Sequence, residues 1–176
     1  ENMVSISQKE PVQVEVQPNT EAKSSLLSIL IPTAPEHLNV AFIYQLEPSV
    51  SSWAKGHEEG AQYLQEIMED RVTVRNYYHA DTLEQTEQLL EQAVEEGAQV
   101  VFTTTPKLSR ATLKAAVKYP KVHFLNCSVY APYSSIRTYY SRIYEAKFIA
   151  GAIAGAMSGN DQIGYIGDYR IFGVPA

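Results

Sequence analysis

From Asn39 onward, short apolar runs alternate with longer stretches in which apolar residues recur every three or four positions. Val40-Ala41-Phe42-Ile43-Tyr44 is nearly unbroken, the pattern of a strand buried on both faces. Further strands are predicted over Val72 to Tyr78, at Val100-Val101-Phe102 and at Val122-His123-Phe124-Leu125. Between the first two strands, Gly56, Gly60, Leu64, Ile67 and Met68 fall on one helical face. A second helix turns Leu83, Thr86, Leu90, Ala93 and Val94 inward, with Asp81 and Glu84 spaced as a capping box and Gly97 as its stop. A third opens at Pro106, with Thr105 as its N-cap. This alternation requires right-handed crossovers, and so predicts an α/β fold: a parallel sheet flanked by helices on both faces.

The pattern changes at both ends. Residues 1–38 are rich in Ser, Gln, Glu and Pro; Val12, Val14 and Val16 alternate with polar residues, as in an edge strand or extended arm. After Ser128, tyrosines 130, 133, 139, 140 and 144 crowd together. A helix then runs from Glu145 to Met157, with the small residues Ala150, Gly151, Ala154 and Gly155 on one face. A fifth apolar run, Ile163 to Gly167, predicts one more strand. The resulting division is an arm or linker over 1–38, a first lobe over 39–136, and a crossover with the start of a second lobe over 137–176. On this reading the helix over 145–157 needs a second lobe or a neighbouring chain to cover it.

Composition narrows the function. The chain of 176 residues is 45% apolar with a formal net charge of -6, which offers no basic face for a polyanion and argues against nucleic acid as a partner. The single cysteine, Cys127, follows a strand-like run and reads as a buried thiol. No apolar run reaches the roughly 18 residues a bilayer span needs. Residues 1–30 lack a basic start followed by an apolar core; a processed segment would share that property, so the compartment stays open. No Gly-x-Gly-x-x-Gly or phosphate loop follows the first strand, and no Ser sits in a Gly-x-Ser-x-Gly turn. The histidines at 37, 57, 79 and 123 lack metal-ligand spacing. Binding without chemistry, and without a metal or other cofactor, is the expectation.

In a parallel α/β sheet, ligands bind where the carboxyl ends of the strands face one crevice. Five apolar runs end in polar or aromatic residues: Tyr44-Gln45-Leu46, Tyr78-His79, Thr103-Thr104-Thr105, Asn126-Cys127-Ser128 and Gly167-Asp168. Trp53, the only tryptophan, opens the first helix beside that edge, where its indole can stack on a heterocycle and keep its ring N–H available. His57 lies one turn on. Thr103 and Thr104 offer hydroxyls, and Asn126 carries the donor and acceptor that reading a base edge needs. Arg142 and Tyr144 border the expected crossover, and Asp168 ends the last run. For several of these a structural role competes: Trp53 as a plug, His57 as a satisfied ring, the threonines as caps, and Arg142 and Tyr144 as pins between lobes.

Several spaced segments carry a family likeness. Ser52-Trp53-Ala54-Lys55-Gly56-His57-Glu58-Glu59-Gly60, Val101-Phe102-Thr103-Thr104-Thr105, Ser141 to Gly155 (which contains Arg-Ile-Tyr-Glu) and Ile163-Gly164-Tyr165-Ile166-Gly167 occur in order. Over 40–175 the chain resembles the basic membrane protein family of substrate-binding proteins, the purine nucleoside receptor group that feeds ABC importers. The resemblance implies a two-lobed, type I periplasmic-binding fold, strand order 2-1-3-4-5 in the first lobe, and a crossover over 137–141. It also implies a purine or nucleoside-like small-molecule ligand, an ABC transporter permease as partner, and an extracytoplasmic lipoprotein. Ser49 and Val50 stand where many family members carry an acidic pair, which leaves adenine, another purine or an unrelated ligand open. The alternative is a cytoplasmic sensor domain of a regulatory protein, linked through residues 1–37 to an output domain.

Overall fold

A computed structural model describes residues 35–128 and 134–167. Strands β1 (Leu38–Ile43), β2 (Val72–Tyr77), β3 (Val100–Thr103), β4 (His123–Cys127) and β5 (Ile136–Tyr139) form one sheet in the order β2-β1-β3-β4-β5. Every neighbouring pair is parallel. Helices α1 (Ser52–Met68), α2 (Leu83–Glu95) and α3 (Ser109–Lys118) connect the first four strands. The fold class and strand order are those expected. β5 is the short edge strand of that order, and its residues 137–139 overlap the expected crossover segment.

The side-chain alternation of β1 sorts the core. Ala41 and Ile43 join Leu90 and Ala93 of α2, Ala111 and Ala115 of α3, Val101 and Phe124 in one apolar cluster. Val40, Phe42 and Tyr44 point the other way, against Ala54 and Ala61 of α1. An unbroken apolar run is therefore required in β1, because neither face meets water. At the sheet edge, β2 keeps Arg75 exposed between partly buried neighbours, which is why its sequence is more polar.

Local signals hold with shifts. The cap of α2 is Thr82, not Asp81: the Thr82 hydroxyl accepts from Gln85 N–H, and the Gln85 side chain accepts from Thr82 N–H. The box lies one residue later than expected because it is Thr82 that takes the extended conformation a cap needs. Gly97, at φ 92°, ends α2. Its N–H donates to Val94 O, and Ala98 N–H donates to Ala93 O, the two reversed bonds of a Schellman turn. In α1 the inward face is Ala54, Ala61, Leu64 and Met68, while Gly56, Gly60 and Ile67 face outward. Packing against Phe42 and Tyr44 selects the smallest side chains, one every seven residues.

The last expectation fails. Residues 163–167 form no strand and are exposed. A strand requires an edge to pair with, and no second sheet stands beside this run among the described residues. Helix α4 (Ile143–Met157) shares that situation, since none of its residues is buried. No described helix is long and apolar enough to cross a membrane.

Candidate functional site

Where β1 ends, the chain turns through Gln45 and Leu46 into α1. Ser51 caps that helix by accepting from Ala54 N–H at 3.2 Å, which sets Trp53 in its first turn. The indole Nε1–H donates to Thr104 O at 2.7 Å. Thr104 is itself fastened to β1: its N–H and its hydroxyl both donate to Ile43 O, at 3.1 and 3.0 Å. One turn on, His57 Nδ1–H donates to Trp53 O at 3.0 Å, and its ring centroid lies 5.2 Å from the indole. Further along α1, the Glu58 carboxylate accepts from the Tyr78 hydroxyl. The indole is thus held by its nitrogen, its backbone and a neighbouring ring.

The indole borders a cavity of about 410 Å³ at the carboxyl edge of β1 and β3. Gln45, Trp53, Thr104 and Thr105 form the sheet side of its wall, and Tyr140 and Lys147 come from the segment that follows β5. Tyr140 sits 6.5 Å from Trp53, centroid to centroid, tilted by 42°. Lys147 Nζ lies 5.9 Å from the centre of the Tyr165 ring, which also lines the space. Ring surface with a few polar tips is the make-up of a small-molecule site, and the volume is at the small end of such sites.

Of the residues singled out by sequence, Trp53 and Thr104 line the cavity. The ring N–H of Trp53, expected to remain available, is engaged by Thr104 O, so Trp53 offers its flat face rather than a donor. Thr103 is fully buried behind the wall, its hydroxyl 2.9 Å from that of Thr112 and 3.3 Å from Leu125 O. Asn126 is also fully buried, and its amide donates to Thr103 Oγ1 at 2.8 Å and Thr105 O at 2.9 Å. Both point to the α3 side of the sheet, where the alternation of β3 and β4 sends them. His57 stands behind Trp53, outside the lining. Arg142 and Tyr144 engage each other on an exposed surface, Arg142 Nε–H donating to the Tyr144 hydroxyl at 2.9 Å, and Arg142 also pairs with Glu145. Asp168 lies outside the described residues, as do Tyr130 and Tyr133.

Thr105, expected to cap the third helix, makes no side-chain cap bond; its hydroxyl is buried without a partner among the described residues, on the cavity wall. Gln45, Tyr140, Lys147 and Tyr165 are lining residues that sequence did not nominate. Gln45 had a signal, as the first polar residue after β1. Lys147 had a weaker one: it is the last charge before ten apolar residues of α4.

The titratable groups nearby are poor reagents. Burial pushes the Cys127 thiol up to about 11 and raises the Tyr139 hydroxyl strongly. The two residues sit opposite each other across the β4–β5 pair. Tyr78, desolvated and bonded to Glu58, is pushed up to about 12. Each stays protonated at neutral pH, and none supplies a nucleophile or base. Among the described residues no three of His, Cys, Asp and Glu gather as a metal site.

Residues 38–176 match the family model Bmp, described as ABC transporter substrate-binding protein PnrA-like. A purine-binding protein of Brucella abortus (strain 2308) is 30% identical over 138 residues, which is 78% of this chain and 39% of that protein. A Haloferax volcanii (strain DS2) protein provisionally named an ABC transporter glucose-binding protein, TsgA13, is 27% identical over 140 residues, 80% of this chain and 35% of its own. Among solved structures, an ABC transporter solute-binding protein from Conexibacter woesei superposes with a TM-score of 0.57 at 20% identity, over 69% of this chain and 41% of that one. The chain spans about two-fifths or less of the length of the curated relatives it matches.

Proposed function

Because the chain belongs to the Bmp family of ABC transporter substrate-binding proteins, we propose that it forms one wall of a ligand cleft that captures a purine or purine-like heterocycle for import. The observation that carries this reading is the immobilised indole of Trp53 on the wall of a 410 Å³ cavity at the sheet's carboxyl edge. A ring fixed before the ligand arrives loses little freedom on binding, and its face accepts any flat heterocycle. Gln45 offers an amide donor and acceptor to the ring edge. It replaces Asn126 and Thr103 as the residue that reads the ligand, since Asn126 and Thr103 are spent on each other. The name of the Brucella relative supports a purine over a sugar, as does the aromatic content of the wall. A permease is the partner this role requires, and a position outside the cytoplasmic membrane follows; a lipid anchor is tested by palmitate labelling of the full-length protein.

The test is calorimetry on the full-length protein with adenine, hypoxanthine, adenosine and glucose, read in parallel through the part of its fluorescence that Trp53→Phe removes. Purine binding that quenches Trp53 is the expected result. Binding of glucose alone, or purine binding that leaves Trp53 emission unchanged, would contradict the reading.

A further inference from the structure

The charges around the cavity are lopsided. Lys147 lines it, and no Asp or Glu does among the described residues. Three other lysines face carboxylates: Lys55 meets Glu59, Lys114 meets Glu87 and Lys118 meets Glu91. Lys147 instead lies over the ring of Tyr165. A ring holds an ammonium in place by its quadrupole and leaves the charge intact, whereas a carboxylate would neutralise it. Other polar groups on the wall, among them the Gln45 amide and the Ser51 hydroxyl, accept as well as donate, so Lys147 brings a fixed positive charge beside them. Such a wall is complementary to a ligand rich in acceptors and bearing negative charge, and among the described residues it offers no carboxylate to sugar hydroxyls or exocyclic amines.

We propose that the ligand is an anionic planar heterocycle of the oxopurine class, stacked on Trp53, with Lys147 taking its negative charge. This rests on the purine reading above and specifies its chemistry. The volume of about 410 Å³ suits a single ring system.

Calorimetry on the full-length protein separates the two levels. Urate, an anion at neutral pH, and xanthine, which ionises near neutrality, are compared with the neutral adenine and hypoxanthine. Urate or xanthine should bind about tenfold or more tightly than adenine, the scale of one charge-assisted hydrogen bond. Lys147→Gln should weaken urate or xanthine more than adenine and so remove that preference, while Lys147→Arg keeps it. If Lys147→Gln is misfolded by circular dichroism, the wild-type protein still decides. Raising salt from about 0.05 to 0.5 M should weaken binding of the anion and spare that of adenine. Equal or tighter binding of the neutral purines, with no effect of Lys147→Gln or of salt, overturns the charge assignment and leaves the purine site standing. Failure of every purine to bind overturns both.

Discussion

Replacing Trp53 separates the observed role of its nitrogen, bonded to Thr104 O, from the proposed role of its ring, stacking on the ligand. In Trp53→Ala the stacking surface is lost together with the Nε1–H bond to Thr104 O at 2.7 Å. Stacking of a base on an aromatic side chain is worth about 1–3 kcal/mol, which weakens Kd by about 5- to 150-fold. In Trp53→Phe a smaller ring remains and only the bond is removed. That bond positions the indole, and a neutral hydrogen bond contributes about 1 kcal/mol, so the expected loss is about fivefold. Thr104 O is left without its donor, but Thr104 stays anchored through Ile43, and β3 should not move. Calorimetry with the best-binding purine measures both variants, and far-ultraviolet circular dichroism checks their fold. The order wild type, Phe, Ala is the prediction. An intact Trp53→Ala protein that binds with unchanged affinity would show that the indole only fills space beside His57, and the reasoning that places a stacked ligand on it would fail.

The buried polar network behind the wall gives a second expectation. Asn126→Leu removes two hydrogen bonds and strands Thr105 O, at a cost of about 2–4 kcal/mol, read as a lower urea midpoint at unchanged slope. Gly97→Ala should lower stability by about 1–2 kcal/mol and Tm by about 3–8 °C. The cause is the backbone angle of 92°, since a Cβ there would meet Asn39 Nδ2 only at 4.0 Å; an unchanged Tm would contradict it. Cys127 titrates near 9 when unfolded and about 11 when folded, so its contribution to stability is complete below about pH 9 and is lost as pH rises through 11. A thiol reagent at pH 8 should accordingly label it only after denaturation, and rapid labelling of the native protein refutes its burial. In the isolated 176-residue chain, the amides of α4 should exchange far faster than those of β1 and β3, because none of its residues is buried. Strong protection of 143–157 in a proven monomer would show that the helix needs no further cover.

The order of strands and helices was legible because burial on two faces leaves one-dimensional traces. β1 needs apolar residues at successive positions, α2 needs them at helical spacing, and Gly97 is required where the backbone turns left-handed. Those constraints act within a few residues of each other, so the chain alone determined them. The cleft was legible only as a location. That Trp53, Thr104 and Gln45 converge follows from strand ends facing one edge. Which of their groups stay available depends on hydrogen bonds between residues far apart in sequence, Trp53 with Thr104 and Asn126 with Thr103 and Thr105. Those bonds withdrew the indole N–H and the Asn126 amide from the cavity. Lys147 reached the cavity through the turn after β5, a position that no periodicity encodes. The run from Ile163 to Gly167 shows the converse: its residues have the composition of a strand, but a strand exists only where another edge accepts its hydrogen bonds, and pairing is a property of tertiary structure.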